Sequence, residues 1–372
     1  MDMMVFNMKK KIYINATILD ERPTGLGIYV KNIIAKLKNK DIDFEVFCPI
    51  EIEGVKVDKT TEKLKTTYKK KGGIVRFLWT QFILPLKVNK NDIVYHPFQY
   101  LSILSRSKQI ITIHDFIPLY YPEVAKHQYY YYKIIMPILL KRAYKIICIS
   151  ENTKNDVIKF FNVNEDKLVE IYNGYDNELF NTKDIKENVI EKYNIKEKYF
   201  IAVGAGYSHK NLETALRAFK KVSDKNKCEF IIVGKDSDYI KKLKQLCIEL
   251  KIEEKVKFIG YVPDDDLPTL YNKSIAFVYP TLYEGFGLPI LEAMACETVV
   301  LSANNSSLPE VYGDAAISFD AKDEDAIAKG MALLLKDEVI SRKLINDSKE
   351  QIKKFDWDIT ASEVIKLFKQ MQ

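Results

Sequence analysis

Two glutamates, Glu284 and Glu292, stand with seven residues between them inside Tyr283–Cys296 (YEGFGLPILEAMAC), and Gly285 and Gly287 separate them further into a loop and a helix. Carboxylates spaced in this way can converge on one ligand. The loop between them suits an anion: glycines let the backbone approach closely, and the amides of Phe286, Gly287 and Leu288 lie where a helix N-terminus concentrates positive potential. A diphosphate fits such a place, leaving one carboxylate for a sugar and the other for a ribose. The plainer reading makes Glu292 a first-turn complement to the helix dipole and Glu284 a solvated loop residue.

The flanking residues supply the scaffold. Ile275–Thr281 (IAFVYPT) is β-rich and apolar, Leu291, Met294 and Ala295 share a helical face after Pro289, and Thr298–Ala303 (TVVLSA) is β-branched again. Strand, helix, strand implies a parallel sheet, whose ligands sit at the C-terminal ends of the strands. Tyr199–Gly204 (YFIAVG), Glu229–Gly234 and Val256–Tyr261 extend that sheet. After the first of them comes AGYSHKN, with Lys210 just before a helix that turns Leu212, Ala215, Leu216 and Phe219 inward. A loop lysine is usually just solvated, but one at a strand end beside the glycine loop is placed to meet a diphosphate.

The first half repeats the pattern. Lys11–Leu19 reads as a strand and Ile28–Lys38 as a helix, with Gly25 and Gly27 of ERPTGLG between them as a loop whose amides can face a phosphate or acceptor. Val30 stands where a dinucleotide fingerprint needs its third glycine, which argues against nicotinamide binding. Strands follow at 44–49, 92–96, 109–114, 145–150 and 168–172, and His114 falls at the end of QIITIH, where its imidazole can enter a ligand crevice. His96 and His127 read as structural. The charged stretch 172–194 reads as a linker, so the fold class is α/β with two doubly wound, Rossmann-like domains. Phe355–Lys369 is an amphipathic helix with Ala361, Val364, Ile365 and Phe368 inward.

Composition excludes several classes. The 57 basic and 51 acidic residues leave a net charge of +6, a mild excess on a mixed surface that does not suggest a nucleic-acid partner. Cys48, Cys148, Cys228, Cys247 and Cys296 are scattered without CxxC spacing, as expected of reduced core thiols in a cytoplasmic protein. No apolar run approaches the roughly 18 to 20 residues that span a bilayer, and Met1–Met8 lacks the basic-then-apolar order of a signal peptide. Phe77–Leu86 and Tyr129–Leu140 are aromatic, apolar and flanked by lysines, so each is either an ordinary core helix or a segment that lies on a membrane surface. Of the DxD pairs only Asp236 and Asp238 follow a strand, and no metal is expected: Lys210 and the loop amides offer the positive potential instead.

The full string EGFGLPILEAMAC, followed by SSLPE at Ser306–Glu310, resembles the donor-site signature of the family-four retaining glycosyltransferases. The resemblance runs from about Tyr13 to Phe355. It implies the GT-B architecture: an acceptor-side domain of residues 1–180, rejoined by a C-terminal helix at 355–372, faces a nucleotide-sugar-binding domain of residues 181–354 across a cleft. It also implies roles, with Lys210 on the diphosphate, Glu292 on the ribose, Glu284 on the sugar and His114, within HDFIPLYYPE, near sugar and acceptor. The sequence departs from the pattern twice. Glu297, Thr298 and Val299 replace the usual Gly-Thr-Pro, and Ala205 and His209 stand where the family commonly places an arginine.

INATILDERPTGLGIYV and HDFIPLYYPE are most similar to the branch handling mannose or rhamnose in bacterial surface polysaccharides. The expected protein is therefore a cytoplasmic, retaining hexosyltransferase, at work in solution or at the inner face of the cell membrane. It uses GDP-mannose as first donor, a glycan or polyprenyl-linked acceptor, and no cofactor beyond the nucleotide sugar. Rhamnosyl or glucosyl transfer from dTDP or UDP donors is the second expectation. Two other classes are a carbohydrate hydrolase using Glu284 and Glu292 as its carboxylate pair, and a sugar-nucleotide-binding protein without catalysis. A hydrolase has no need of Lys210 and the glycine loops.

Overall fold

The computed structural model describes residues 10–21 and 25–372, so Met1–Met8 and the Arg22–Thr24 part of the ERPTGLG loop lie outside the described residues. The chain divides into two compact units. One holds the residues up to Leu119, Lys126–Asn173 and Trp357–Gln372; the other holds Tyr120–Ala125 and Gly174–Asp356. The chain passes from the one unit to the other at 173/174, and the short segment Tyr120–Ala125 groups with the second unit.

In the first unit seven parallel strands run in the order β3-β2-β1-β4-β5-β6-β7. They are β1 (Ile12–Asn15), β2 (Glu45–Cys48), β3 (Lys56–Lys59), β4 (Ile93–His96), β5 (Lys108–Ile113), β6 (Lys145–Cys148) and β7 (Leu168–Glu170). The inner strands are apolar almost throughout because helices cover both faces. Edge strand β3, with the sequence KVDK, carries no such run and is not apparent from the sequence pattern. The chain lays β2 and β3 on one side of β1 and the remaining strands on the other. The loops that leave β1 and β4 therefore diverge and open a crevice at the strand C-termini.

The loop after β1 feeds the helix Leu26–Leu37, which begins two residues before the periodicity predicts. Gly27 lies buried inside that helix, not in a loop, while Gly25, with φ 50° and ψ −108°, is its N-cap. The C-terminal helix Trp357–Met371 packs on the same unit. Trp357 and Phe368 meet Tyr29 and Tyr95 edge-on, Asp358 pairs with Lys36 at 2.8 Å, and the Thr360 hydroxyl donates to the Tyr172 carbonyl at 2.8 Å. Ala361, Val364 and Phe368 face inward as expected, with Leu367 buried and Ile365 only half-buried.

Residues 126–142 form one continuous helix interrupted by a π-turn at Tyr131–Ile135, in which the Met136 amide donates to the Tyr131 carbonyl five residues back. Pro137 has no amide to give the ordinary ladder, and its ring would crowd the carbonyl four residues earlier. The wider turn accommodates both.

The second unit has six parallel strands in the order β10-β9-β8-β11-β12-β13. These are β8 (Tyr199–Val203), β9 (Glu229–Val233), β10 (Val256–Gly260), β11 (Ala276–Tyr279), β12 (Val300–Ala303) and β13 (Ala316–Phe319). β13 pairs with β12 at the far edge; its pattern AISF is mostly half-buried and is another strand that the sequence reading misses. The topological switch lies between β8 and β11, so the loops after these two strands flank the crevice.

Phe368 is buried against Tyr95 within the first unit. Phe368→Ala should destabilise that unit by about 3 to 5 kcal/mol. The check is denaturant unfolding followed by a probe in each unit, with the second unit's transition unmoved.

Candidate active site

The two loops at the β8/β11 switch are Gly204–Asn211 and Pro280–Gly287, and the chain ties them together at several points. The Leu282 amide donates to the His209 carbonyl at 2.8 Å, and the Asn211 amide group donates to the Pro280 carbonyl at 3.0 Å. Ser307, from the SSLPE segment, donates to the Glu284 and Phe286 carbonyls, and Ser306 accepts from the Glu284 amide at 3.0 Å. Gly204 has a φ of 84°, and a side chain added there or at Gly206 would meet open space, so the backbone itself lines the crevice.

Across this junction the Lys210 ammonium donates to Glu284 Oε1 at 2.7 Å and to the Tyr279 hydroxyl at 3.2 Å, and it lies over the Tyr279 ring. Both charged side chains are largely buried, at 16% and 12% exposure. Thr281 adds a second donor to the same carboxylate oxygen at 2.9 Å. Burial alone would raise the Glu284 pKa. The charge of Lys210, the neighbouring His209 and the hydrogen bonds of Lys210 and Tyr279 outweigh it and hold the group below its ordinary value, so Glu284 is ionised. Lys210, expected to meet a diphosphate together with the loop amides, stands here as the partner of Glu284.

Glu292 is the fifth residue of the helix Leu288–Ala295 and so belongs to its second turn, not its first. The dipole-complement reading falls with that placement. Its Oε2 accepts from the Tyr271 hydroxyl at 3.3 Å. Burial pushes its pKa up to about 7, opposed by the Tyr271 hydrogen bond and helped by Asp264 and Asp176. Burial raises the pKa of the Tyr279 hydroxyl well above the ordinary tyrosine value, and the negative charge of Glu284 and, more weakly, of Glu292 adds to the rise. Their environments drive their proton affinities apart.

Gly287 caps this helix with φ 124°, and a Cβ there would sit 3.1 Å from Leu308 as well as strain the backbone. Among the described residues the Gly287 and Leu288 amides make no intramolecular hydrogen bond, as the first amides of a helix need an outside acceptor. Gly285, Phe286 and Gly287 are all buried and Leu288 is half-buried. Gly285 and Phe286 make further contacts of their own, so the amides left without an intramolecular hydrogen bond are those of Gly287 and Leu288.

His209 is buried between the rings of Tyr207 and Tyr121, its Nδ1 without a hydrogen-bond partner and its pKa lowered to about 4, chiefly by burial. It is neutral at pH 7 and supplies no charge of the kind an arginine would. Tyr120 packs on Tyr283 with ring centroids 4.6 Å apart. Tyr279, Thr281, Tyr271, Tyr120 and Tyr121 escape a sequence reading, although Tyr279 and Thr281 carry a signal in standing at the end of the strand. Of the DxD candidates, Asp238 opens a helix capped by Ser237 and pairs with Lys241 at 3.0 Å.

In the first unit His114 follows β5 directly. Its Nε2 hydrogen-bonds the Pro97 carbonyl at 2.9 Å and its ring meets Tyr29 edge-on at 4.7 Å. Burial lowers its pKa to about 4, so Nε2 carries the proton and Nδ1 is an acceptor. His96 is a buried structural residue, held between Asn15 and Gln109. Gly25, Gly27 and His114 belong to the first unit, whereas Lys210, Glu284, Gly285, Phe286, Gly287, Leu288 and Glu292 belong to the second.

Comparison with known proteins matches residues 23–179 to the family model "Glycosyltransferase Family 4" and residues 185–354 to "Glycosyl transferases group 1". An O-antigen chain mannosyltransferase of Salmonella typhimurium, RfbU, is 35% identical over 216 residues, 58% of each chain, so the match spans little more than half of that relative. O-antigen chain mannosyltransferase B of Escherichia coli is 29% identical over 75% of this chain and 74% of its own. Among solved structures, sucrose-phosphate synthase from Thermosynechococcus elongatus superposes with a TM-score of 0.74 at 20% identity, covering 98% of this chain and 99% of that one, a likeness of fold.

Lys210→Met strands a buried carboxylate and should cost the second unit about 3 kcal/mol or more. Adding Glu284→Gln should recover much of that loss. A denaturant cycle on both single variants and the double checks this; strictly additive losses would mean that the pair is not coupled. For Glu292 the folded state binds a proton that the unfolded chain has released, so this carboxyl lowers stability as pH rises from about 4.5 to about 7. Glu292→Gln should match the wild type at pH 4 and exceed it by on the order of 2 kcal/mol at pH 8. An equal gap at both pH values would show that Glu292 does not titrate in this window.

Proposed function

We propose that this chain, which belongs to the GT-B glycosyltransferases, moves mannose from GDP-mannose to a hydroxyl of a glycan or polyprenyl-linked glycan, with retention of configuration and without a bound metal. The choice of mannose rests on the two O-antigen relatives, each described as a mannosyltransferase. The observation that carries the reading is the Lys210–Glu284 pair at the strand end beside the open Gly287 and Leu288 amides. An arriving diphosphate accepts from those amides and competes with Glu284 for Lys210. The carboxylate so released is ionised and sits where a sugar hydroxyl can donate to it. Glu292, with its proton affinity near neutrality, takes the ribose hydroxyls either as donor or as acceptor.

In the reaction the bond from the sugar's anomeric carbon to the diphosphate oxygen breaks, and the electron pair leaves with the diphosphate. The bond from the acceptor oxygen forms on the same face, and the acceptor's proton passes to the departing diphosphate oxygen, which lies on that face. Lys210 and the two amides stabilise the leaving charge where water is excluded. Glu284 stabilises the positive anomeric carbon and positions the sugar. His114 contributes Nδ1 as a hydrogen-bond acceptor for a hydroxyl of sugar or acceptor, its other nitrogen being committed to Pro97. A glycosidase also uses one protonated and one ionised carboxyl, so release of free sugar is the outcome to watch.

The test supplies GDP-mannose, UDP-glucose and dTDP-rhamnose with a polyprenyl-diphosphate-linked glycan in excess EDTA, and reads the anomeric configuration of the product by NMR. Turnover with GDP-mannose and an α-linked product are expected. His114→Ala should lower kcat about a hundredfold or more while leaving GDP affinity within about twofold, within the spread expected for a group that does not touch the nucleotide. A β-linked product, a requirement for Mg²⁺, preference for another donor, or sugar release without nucleotide would each overturn the corresponding part of the reading.

A further inference from the structure

Arg76 stands on the helix Lys69–Phe82 of the first unit and is 7% exposed, an uncommon place for a guanidinium. Its Nη1 donates to the Leu64 carbonyl, and its Nε is buried with no hydrogen-bond partner. Among the described residues no carboxylate forms an ion pair with it. Asp20, whose charge acts on it more weakly than Tyr100 does, accepts a hydrogen bond from the Thr66 hydroxyl. Burial lowers the Arg76 pKa, and the Tyr100 hydroxyl is the main group opposing the fall. A cation held this far from water needs an anion, and the described residues do not supply one.

The side chain borders a cavity of 660 Å³ whose walls include the rings of Phe77, Tyr100 and Tyr131. Gly73, about one helical turn before Arg76, lines the same cavity. A Cβ at Gly73 would stand 3.5 Å from the Tyr100 hydroxyl and 3.8 Å from Arg76 Nη2. Those are ordinary contacts, so packing does not demand this glycine, although glycine weakens a helix interior. Its neighbour Gly72 differs, because a Cβ there would meet the Lys65 carbonyl at 2.6 Å. Gly73 thus keeps a space open beside a guanidinium nitrogen and a phenol hydroxyl, both of them donors. Asp115 lines the cavity as well; its Oδ1 accepts from the Ile117 amide at 3.0 Å, and its charge acts on Tyr132. A ligand that is acidic at one place and bears hydroxyls at another satisfies both charged groups.

We infer that this cavity holds a sugar carrying an oxyanion, a carboxylate or a phosphate monoester, with the anion in the space over Gly73 between Arg76 and Tyr100. The guanidinium and the phenol hydroxyl donate to its oxygens, the rings cover the apolar face of the sugar, and Asp115 accepts from its hydroxyls. A neutral sugar would leave Arg76 without a counter-charge. The cavity also reaches Leu26 beside Gly25, and Asp115 directly follows His114. On the functional reading above, on which this last step rests, the acidic sugar therefore belongs to the acceptor.

Ligand-observed NMR on the full chain without donor tests the recognition alone, with methyl glucuronide, methyl glucoside 6-phosphate and methyl glucoside as probes. At least one acidic glycoside should bind about tenfold or more tightly than the neutral one, as a charge-assisted hydrogen bond requires. The acidic probe that binds better tells carboxylate from phosphate. Gly73→Ala fills the space and should cancel the preference while keeping the thermal midpoint at or above the wild-type value, which separates a lost site from a damaged fold. Arg76→Lys keeps the charge but loses the planar fork, and should weaken the acidic glycosides at least about fivefold. Equal affinity for acidic and neutral glycosides, Gly73→Ala binding as the wild type does, or inorganic phosphate competing as strongly as the phosphorylated glycoside would each overturn the inference. Acidic glycosides that bind as expected but accept no sugar from any donor would instead count against the functional reading.

Discussion

A charged group that is taken out of water must find its opposite, and in the second unit that requirement fixes the geometry of the site. Lys210 comes from the loop after β8 and Glu284 from the loop after β11, two loops with more than seventy residues between them in the chain. Neither side chain tolerates burial alone. Their pairing at 2.7 Å, with Tyr279 and Thr281 completing the shell, therefore positions both loops around one strand end. Ser306, Ser307 and Asn211 secure the backbone on either side of the pair.

The two units place their ligand-facing loops at equivalent switch points of their sheets but equip them differently. At β8/β11 there is a largely buried Lys210–Glu284 pair beside helix amides that have no intramolecular partner among the described residues. At the C-terminal edge of the first sheet there is a glycine-capped helix and an uncharged imidazole whose Nε2 is already committed. The second unit thus suits a highly charged ligand. The first suits hydroxyl groups, which need acceptors and donors but little net charge.

Much of this was legible in the sequence for physical reasons that can be named. Strands buried on both faces, such as KIIC in β6 and EFIIV in β9, announce themselves as apolar runs, whereas the edge strands β3 and β13 are largely half-buried or exposed and leave no run to find. The glycine loop and Lys210 could be picked out because their types and their positions at strand ends are what a phosphate ligand would call for. The pairing of Lys210 with Glu284 was not, since it depends on which strands become neighbours. Helix starts were misjudged where glycine stands at the boundary: the helix after Gly25 absorbs Gly27, and the early start at Leu288 moves Glu292 from the first turn to the second. Tyr120 and Tyr121 were invisible for a further reason. Their segment groups with a unit whose other residues begin about fifty positions later.

The π-turn at Tyr131–Ile135 has a consequence for how this segment can change over time. One additional residue in the turn shifts the phase between the two ends of the helix, so residues four apart stay in line across it, where a regular helix would carry them gradually around the axis. Side chains along the segment can therefore be exchanged for others of like polarity without disturbing which of them face out. Removing a single residue would restore the regular ladder and leave the two ends close to their present phase, since the wider turn is what takes up the extra residue; the loss would fall on Pro137, left without its accommodation. Pro137, more than the phase of the two ends, therefore fixes the length of the segment.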